Sequence, residues 1–387
     1  MRYFIDNTRD QSSTNRSEIE AVQKTDLLHA RYSPSHNQIS NILPGSELYF
    51  ATFIFSTQTE FRTFDILQPM TRSNVIFRNQ PKLSEYEIQK DFNDRRLGLV
   101  ALVDNFLSHH HLFKTDTVNV TFSDKGLGSL ICILETKNGK MVLKVPLSKT
   151  SSGSEGLFLK TWEKVGVKVP HIIEEGELND YRYILMEYID APLLSEVLIS
   201  NKGASSEIGH ILRTMHIPKA KGYGRVVDGK AEYSTFEEWI GSKKIQDAVN
   251  YVQKNKLLEI EPLFTEKAFS ILTEHANKNQ SSYCHFDFGN SNIFATKPLT
   301  IFDPNPQFNN GYLDLGLSVF NIISAGASPQ RLIESYFGKE VCDEKVLYAS
   351  ILLNSYIKLP SRHNKGKLDH IRTIQEYLTQ NKHLLEK

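Results

Sequence analysis

His285-Phe286-Asp287-Phe288-Gly289-Asn290-Ser291-Asn292, followed by Ile301-Phe302-Asp303, sets an acid, an amide and a second acid at spacings that suit phosphoryl transfer. Between them the chain reads as a short hairpin. Asn292 to Ala295 form a strand, Thr296 to Leu299 a turn containing Pro298, and Thr300 to Asp303 the return strand. A turn centred on Lys297-Pro298 puts Asn292 opposite Asp303, with their side chains together on one face. An amide oxygen beside a carboxylate, with Asp287 on the preceding loop, makes a pocket of hard oxygen ligands. Such a pocket suits Mg²⁺, which takes a few protein oxygens and completes its octahedron with phosphate and water.

Composition narrows the class. The 387 residues allow two or three structural units with ample core. Lys+Arg and Asp+Glu stand at 45 each, so no global field favours nucleic acid or an anionic membrane. No run approaches the length of a membrane span, and Met1 to Asp10 lacks the basic-then-apolar order of a signal peptide. Cys132, Cys284 and Cys342 are an odd number, far apart, which argues against a disulfide framework and for a reducing cytoplasm.

Residues 1 to about 45 are polar and rich in Ser, Thr and Asn, a composition that favours mobility. Leu48 to Phe55 and Phe61 to Leu67 read as a hairpin, and Ser84 to Leu112 turns helical, with Leu97, Val100, Ala101 and Phe106 on an apolar face. These elements predict an N-terminal α+β module over 1–112. Next come strands at Val118 to Phe122, Ser129 to Glu135 and Met141 to Pro146, with turns at Asp124-Lys125-Gly126-Leu127-Gly128 and Lys137-Asn138-Gly139. A helix from about Ser154 to Val165 carries Phe158, Leu159, Trp162 and Val165 at helical spacing. Strand-rich His171 to Tyr188 follows. Beyond it the pattern is mostly helical, interrupted only by the motif hairpin.

This order of elements resembles the aminoglycoside phosphotransferase and choline kinase group, which shares the protein-kinase-like fold. The resemblance runs from Val118 to the C-terminal helices. It is strongest at His285 to Asn292 with Asp303 and Tyr312-Leu313-Asp314-Leu315-Gly316. Supporting stretches are Val165 to Pro170, Met215-His216, Lys221-Gly222-Tyr223-Gly224 and Glu238-Trp239. It implies an α+β, two-lobed fold, with a small antiparallel-sheet lobe over 113–187 and a mostly helical lobe over 188–387. It also implies transfer from ATP or GTP, with Mg²⁺, to a hydroxyl of a small molecule.

Residue roles carry over position by position. Asp287 becomes the base or orienting carboxylate for the attacking hydroxyl, Asn292 and Asp303 the metal ligands, and Asp314 the support of the catalytic loop. An isolated His-x-Asp is ordinarily a turn or cap Asp beside a buried His. Here Asn292, Asp303 and Asp314 all stand in register with it. His285 reads as a structural hydrogen-bonding residue.

On the Met141 to Val145 strand, Val142 and Lys144 point to one side, so that Val142 covers an adenine ring and Lys144 reaches the phosphates. Glu155 is the expected partner of Lys144, with Glu163 the weaker substitute. Gly126, Gly128 and Ser129 occupy the place of the nucleotide-covering loop, although a plain hairpin turn would carry the same residues. Glu187, Tyr188 and Ile189 occupy the hinge, whose backbone reads the base edge. The sequence departs from the family at Phe286, where Gly is usual.

Other signals are ordinary. His109-His110-His111, read as helical neighbours, point in different directions and chelate poorly. Cys284 and His285 face opposite ways on a strand, so they form no dyad. Glu237 and Glu238 beside Trp239 read either as a site for a cationic acceptor or as a surface turn with a core Trp. Two other readings stand beside the small-molecule kinase. One is a toxin-like enzyme that modifies a protein or RNA, with the N-terminal module binding a partner or mediating self-association. The other is a nucleotide-binding regulator without turnover.

Overall fold

The computed structural model describes residues 74–83, 90–149, 154–197 and 204–386. The hairpin expected over Leu48 to Leu67 lies outside them.

The small lobe is a six-stranded sheet in the order β1 (Val75–Phe77), β2 (Val118–Phe122), β3 (Ser129–Thr136), β4 (Gly139–Pro146), β6 (Tyr181–Glu187), β5 (Ile172–Leu178). Its neighbours run antiparallel except β1 and β2, which are parallel with Val75 opposite Val118. The β3–β4 turn falls at Lys137-Asn138-Gly139, where Gly139 takes φ 122, a conformation that favours glycine. Alternation along β4 sends Leu143 and Val145 into the small-lobe core and leaves Val142 and Lys144 on the opposite side, toward the cleft.

The small lobe does not begin at residue 113. The expected single helix is two, α1 (Lys90–Gly98) and α2 (Val100–His109), and the second packs on this sheet. Val103, Phe106 and Leu107 share one buried cluster with Val118, Val120, Leu130 and Leu185. The physical reason is β1: once it pairs with β2, the helices that follow must cover the sheet face they connect. The described residues form one compact unit.

α3 (Glu155–Lys164) is apolar on the face that carries Phe158, Leu159 and Trp162, and all three are fully buried. They join the large-lobe core, not the small-lobe one. Phe158 stacks on Phe308 at 5.5 Å between ring centres, and Trp162 stacks on His285 at 5.8 Å.

The large lobe departs from the expectation of helices broken only by one hairpin. It holds a five-stranded sheet, in the order Lys219–Ala220, Ser281–Cys284, Gln307–Asn309, Tyr223–Val227 and Lys230–Tyr233. These strands have two to five residues each, too short for a period-two pattern to show. Gly224, at φ 87, lets the chain pass Trp239 and Tyr233, whose ring atoms would lie 2.8 and 2.9 Å from any added Cβ. Around the sheet pack the helices Ala204–Met215, Pro262–Lys278, Gly311–Ser324 and Glu344–Asn364. Among the described residues no helix is long and apolar enough to cross a membrane, and all three cysteines are free.

Because Trp162 fills the contact between α3 and His285, Trp162→Ala is expected to cost about 3–5 kcal/mol in a denaturant titration.

Candidate active site

Lys144 is the centre of the site. β4 lies between β3 and β6, so Lys144 is flanked by Ile131 and Ile184 and is nearly sealed from water. Its ammonium donates to Glu155 Oε2 at 2.6 Å and to Asp303 Oδ1 at 2.5 Å. Burial pulls the lysine pKa down, but the two carboxylates outweigh it and hold the group above the ordinary lysine range. Burial raises Glu155, with Lys144 opposing, whereas at Asp303 the lysine prevails over burial and the carboxyl falls below its usual range. Glu163, the substitute partner, faces His171 on the surface at 3.2 Å.

The motif hairpin forms with a register one residue from that expected. Ile293 pairs with Ile301 and Phe294 with Thr300, which sets Asn292 opposite Phe302 instead of Asp303. Asp303 follows at φ 54, a left-handed conformation that ends the strand. Asn292 sits at the end of a short 3₁₀ turn, with its amide nitrogen donating to Asp287 O at 2.9 Å. That bond leaves Asn292 Oδ1 as an acceptor. Asp287 is the open member of the group, its side chain 59% exposed.

One neighbour of Asp287 lacks any sequence signal. Lys358 Nζ, from the helix Glu344–Asn364, lies 3.2 Å from Asp287 Oδ1. It is a lone lysine among apolar residues 71 positions downstream, in no motif.

Asp314 lies fully buried in the first turn of Gly311–Ser324, and its carboxylate accepts the backbone N–H groups of both His285 and Phe286. His216 Nε2 approaches the same carboxylate at 3.3 Å. The departure at Phe286 has a conformational meaning. Its φ is 57, where glycine is unstrained and a side chain costs about 1–2 kcal/mol. The buried ring meets Trp239 edge-on at 6.0 Å, and that packing offsets the cost. His285 is wholly buried, with Nε2 at 3.0 Å from Phe302 O, and burial lowers its pKa despite Asp314.

A cavity of about 800 Å³ brings together Gly128, Ser129, Lys144, Glu155, Asp287 and Asp303, with Arg225 and Lys244 on its rim. Val142, Asn292 and the hinge residues do not line it. Of the three residues expected to read the base edge, Glu187 has its N–H engaged, donating to His171 O. Gly126 has φ 89 and packs against Ile131, whose Cδ1 would meet an added Cβ at 2.6 Å.

The Glu237–Trp239 and Cys284 signals resolve as structure. Glu238 and Thr235 form a reciprocal cap, Glu237 accepts from Asn277, and Trp239 is buried. Cys284 Sγ donates to Asn309 O at 3.4 Å, away from His285. The three histidines depart from the expectation: α2 ends at His109, and His110 and His111, their rings 4.5 Å apart, gather with Glu174 close enough to share an ion.

No family model matches the chain, and no curated protein matches it. Solved structures do. A thermostable mutant of aminoglycoside phosphotransferase APH(4)-Ia, in ternary complex with AMP-PNP and hygromycin B, is 13% identical with a TM-score of 0.51, covering 73% of this chain and 97% of that one. Another structure of APH(4)-Ia gives 13% identity and a TM-score of 0.50, over 74% of this chain and 98% of that one. A choline/ethanolamine kinase family protein from Mesorhizobium loti gives 17%, a TM-score of 0.48 and coverage of 74% and 95%. The chain therefore has the two-lobed, kinase-like fold of the aminoglycoside phosphotransferases.

Two outcomes follow from the loop geometry. Phe286→Gly relieves about 1–2 kcal/mol of backbone strain but loses a buried ring worth about 3–5, so chemical denaturation should find it less stable by about 1–4 kcal/mol. As pH falls below the ordinary histidine value of 6.5, the unfolded chain takes up a proton that buried His285 refuses. Thermal stability should therefore decline on the acid side, and His285→Phe should make that decline shallower in melts recorded across the range.

Proposed function

We propose that this protein is a nucleotide-dependent O-phosphotransferase acting on a hydroxyl of a small molecule. The observation that carries the reading is the Lys144 ammonium held between Glu155 and Asp303 in a cavity that Asp287 also lines. A lysine fixed in this way is a preset cation for the phosphates of ATP or GTP. Nucleotide and aminoglycoside in the APH(4)-Ia complex favour the same donor and acceptor types for the same fold.

The residue set fits Mg²⁺ on its donor chemistry. Asn292 Oδ1 is left as an acceptor by the bond that ties its amide nitrogen, and the Asp303 carboxylate is kept ionised by Lys144. These two would hold the ion, which when bound offsets negative charge on the phosphates. The chain's own groups then divide the work. Lys144 grips the phosphates and Glu155 keeps it aimed. The acceptor oxygen attacks the terminal phosphorus as the bond to the leaving diphosphate breaks, and Asp287 orients the hydroxyl or takes its proton. Lys358, against Asp287 in this structure, must yield or share that carboxylate when the acceptor binds.

Thermal-shift titration with ATP and with GTP, each with and without Mg²⁺, tests the site. Ligand at about a hundred times its dissociation constant should add about 2.7 kcal/mol, and no shift with either nucleotide sinks the reading. Asp287→Asn should keep nucleotide affinity and slow transfer by about 10² to 10⁴. Incubation with labelled nucleotide, a panel of alcohols and aminoglycosides, and cell lysate should place the label in a small molecule. Label in protein or RNA would favour the toxin-like alternative.

A further inference from the structure

Arg96 is the one fully buried arginine among the described residues, and it stands on α1, ahead of the segment that resembles the kinase fold. A guanidinium has five N–H donors and no acceptor, so its burial demands a ring of acceptors. Arg96 finds them in backbone. Nε donates to Pro81 O at 3.0 Å, and Nη1 donates to the carbonyls of Lys125 at 3.2 Å, Gly126 at 3.0 Å and Ser129 at 3.0 Å. Nη2 donates to the carbonyl of Ser123. All but Pro81 belong to the turn between β2 and β3, whose Gly128 and Ser129 line the cavity with Lys144.

This differs from an ordinary buried ion pair, because among the described residues no carboxylate is bonded to the guanidinium and its acceptors are nearly all in one loop. Removing it would take a partner from all of those carbonyls at once, while an extended loop could not surround it. A planar trans peptide directs its N–H opposite to its C=O. With the carbonyls of Lys125 and Gly126 drawn inward to Arg96, the N–H groups of Gly126 and Leu127 are sent outward. Outward-facing amides are the donors a phosphate needs.

We propose that Arg96 is a positioning residue for the nucleotide: it presets the loop from Ser123 to Ser129, so that the segment before β2 is a working part of the nucleotide site. The proposal rests on reading the cavity as that site. Presetting a loop raises affinity by removing the ordering cost that binding would otherwise carry.

The test uses the full chain with Arg96→Gln, Arg96→Lys and, as a control on the exposed face of the same helix, Arg95→Gln. Amide hydrogen exchange without nucleotide reads the loop, and calorimetric titration with Mg-ATP reads affinity. In the unmodified protein the amides of Lys125 and Ser129, which donate within the loop to Ser123 Oγ and Gly126 O, should exchange slowly. In Arg96→Gln they should exchange about tenfold faster or more, with the helix Gly311–Ser324 unchanged. The dissociation constant for ATP should rise by about tenfold, Arg96→Lys should fall between, and Arg95→Gln should change neither. The proposal is overturned if Arg96→Gln folds with unchanged loop exchange or unchanged affinity. Should neither Arg96 variant fold, free exchange of the loop in the unmodified protein overturns it and slow exchange supports it. Absence of any ATP or GTP binding in the unmodified protein refutes the nucleotide reading and the nucleotide role of Arg96 with it. The exchange experiment separately decides whether Arg96 sets the loop.

Discussion

A single ammonium in a nearly dry place governs this molecule. Lys144 sits in the middle of the small-lobe sheet and meets one carboxylate from α3 and one from the end of the large-lobe hairpin. Charges so poorly hydrated gain from their mutual attraction only when geometry is close and every proton is placed. That requirement ties three distant segments to one point. It also explains the opposite shifts of the two acids: the more enclosed Glu155 is held up by burial, while Asp303 is held down by the lysine.

The helix that supplies Glu155 is anchored on the other side of the cleft. Phe158 and Trp162 stack on Phe308 and His285, so α3 is packed as part of the large lobe although the chain enters it from the small one. The same aromatic layer supports the loop that bears Asp287. Displacing α3 would therefore disturb the acid that holds Lys144 and the floor beneath the open carboxylate together.

Much of this was legible in the residues. Val142 and Lys144 announced their shared face by strand alternation, and Glu155 preceded Leu159 and Trp162 at helical spacing, so their pairing was readable. The exact pairing of the hairpin was not. Placing Asn292 opposite Asp303 assumed a regular strand to its end, whereas Asp303 turns left-handed and shifts the pairing by one. Lys358 carried no local mark, because its meaning depends on a contact 71 residues away. The boundary at 112 failed for a similar reason: β1 is three residues long, and only its partner β2 reveals it as part of the sheet. Phe286 was visible as a departure, but its left-handed backbone and its contact with Trp239 needed coordinates.

The reach of Asp314 has a consequence for synthesis. Its carboxylate receives the backbone of His285 and Phe286 and meets His216, partners that precede it by as many as 98 residues. Contacts so distant along the chain form only after the intervening segment has closed. On a ribosome, the loop bearing Asp287 emerges before the helix Gly311–Ser324 that completes it. The strand that carries Lys144 is thus made first, and the loop that bears Asp287 stays unfinished until residues 311–324 arrive.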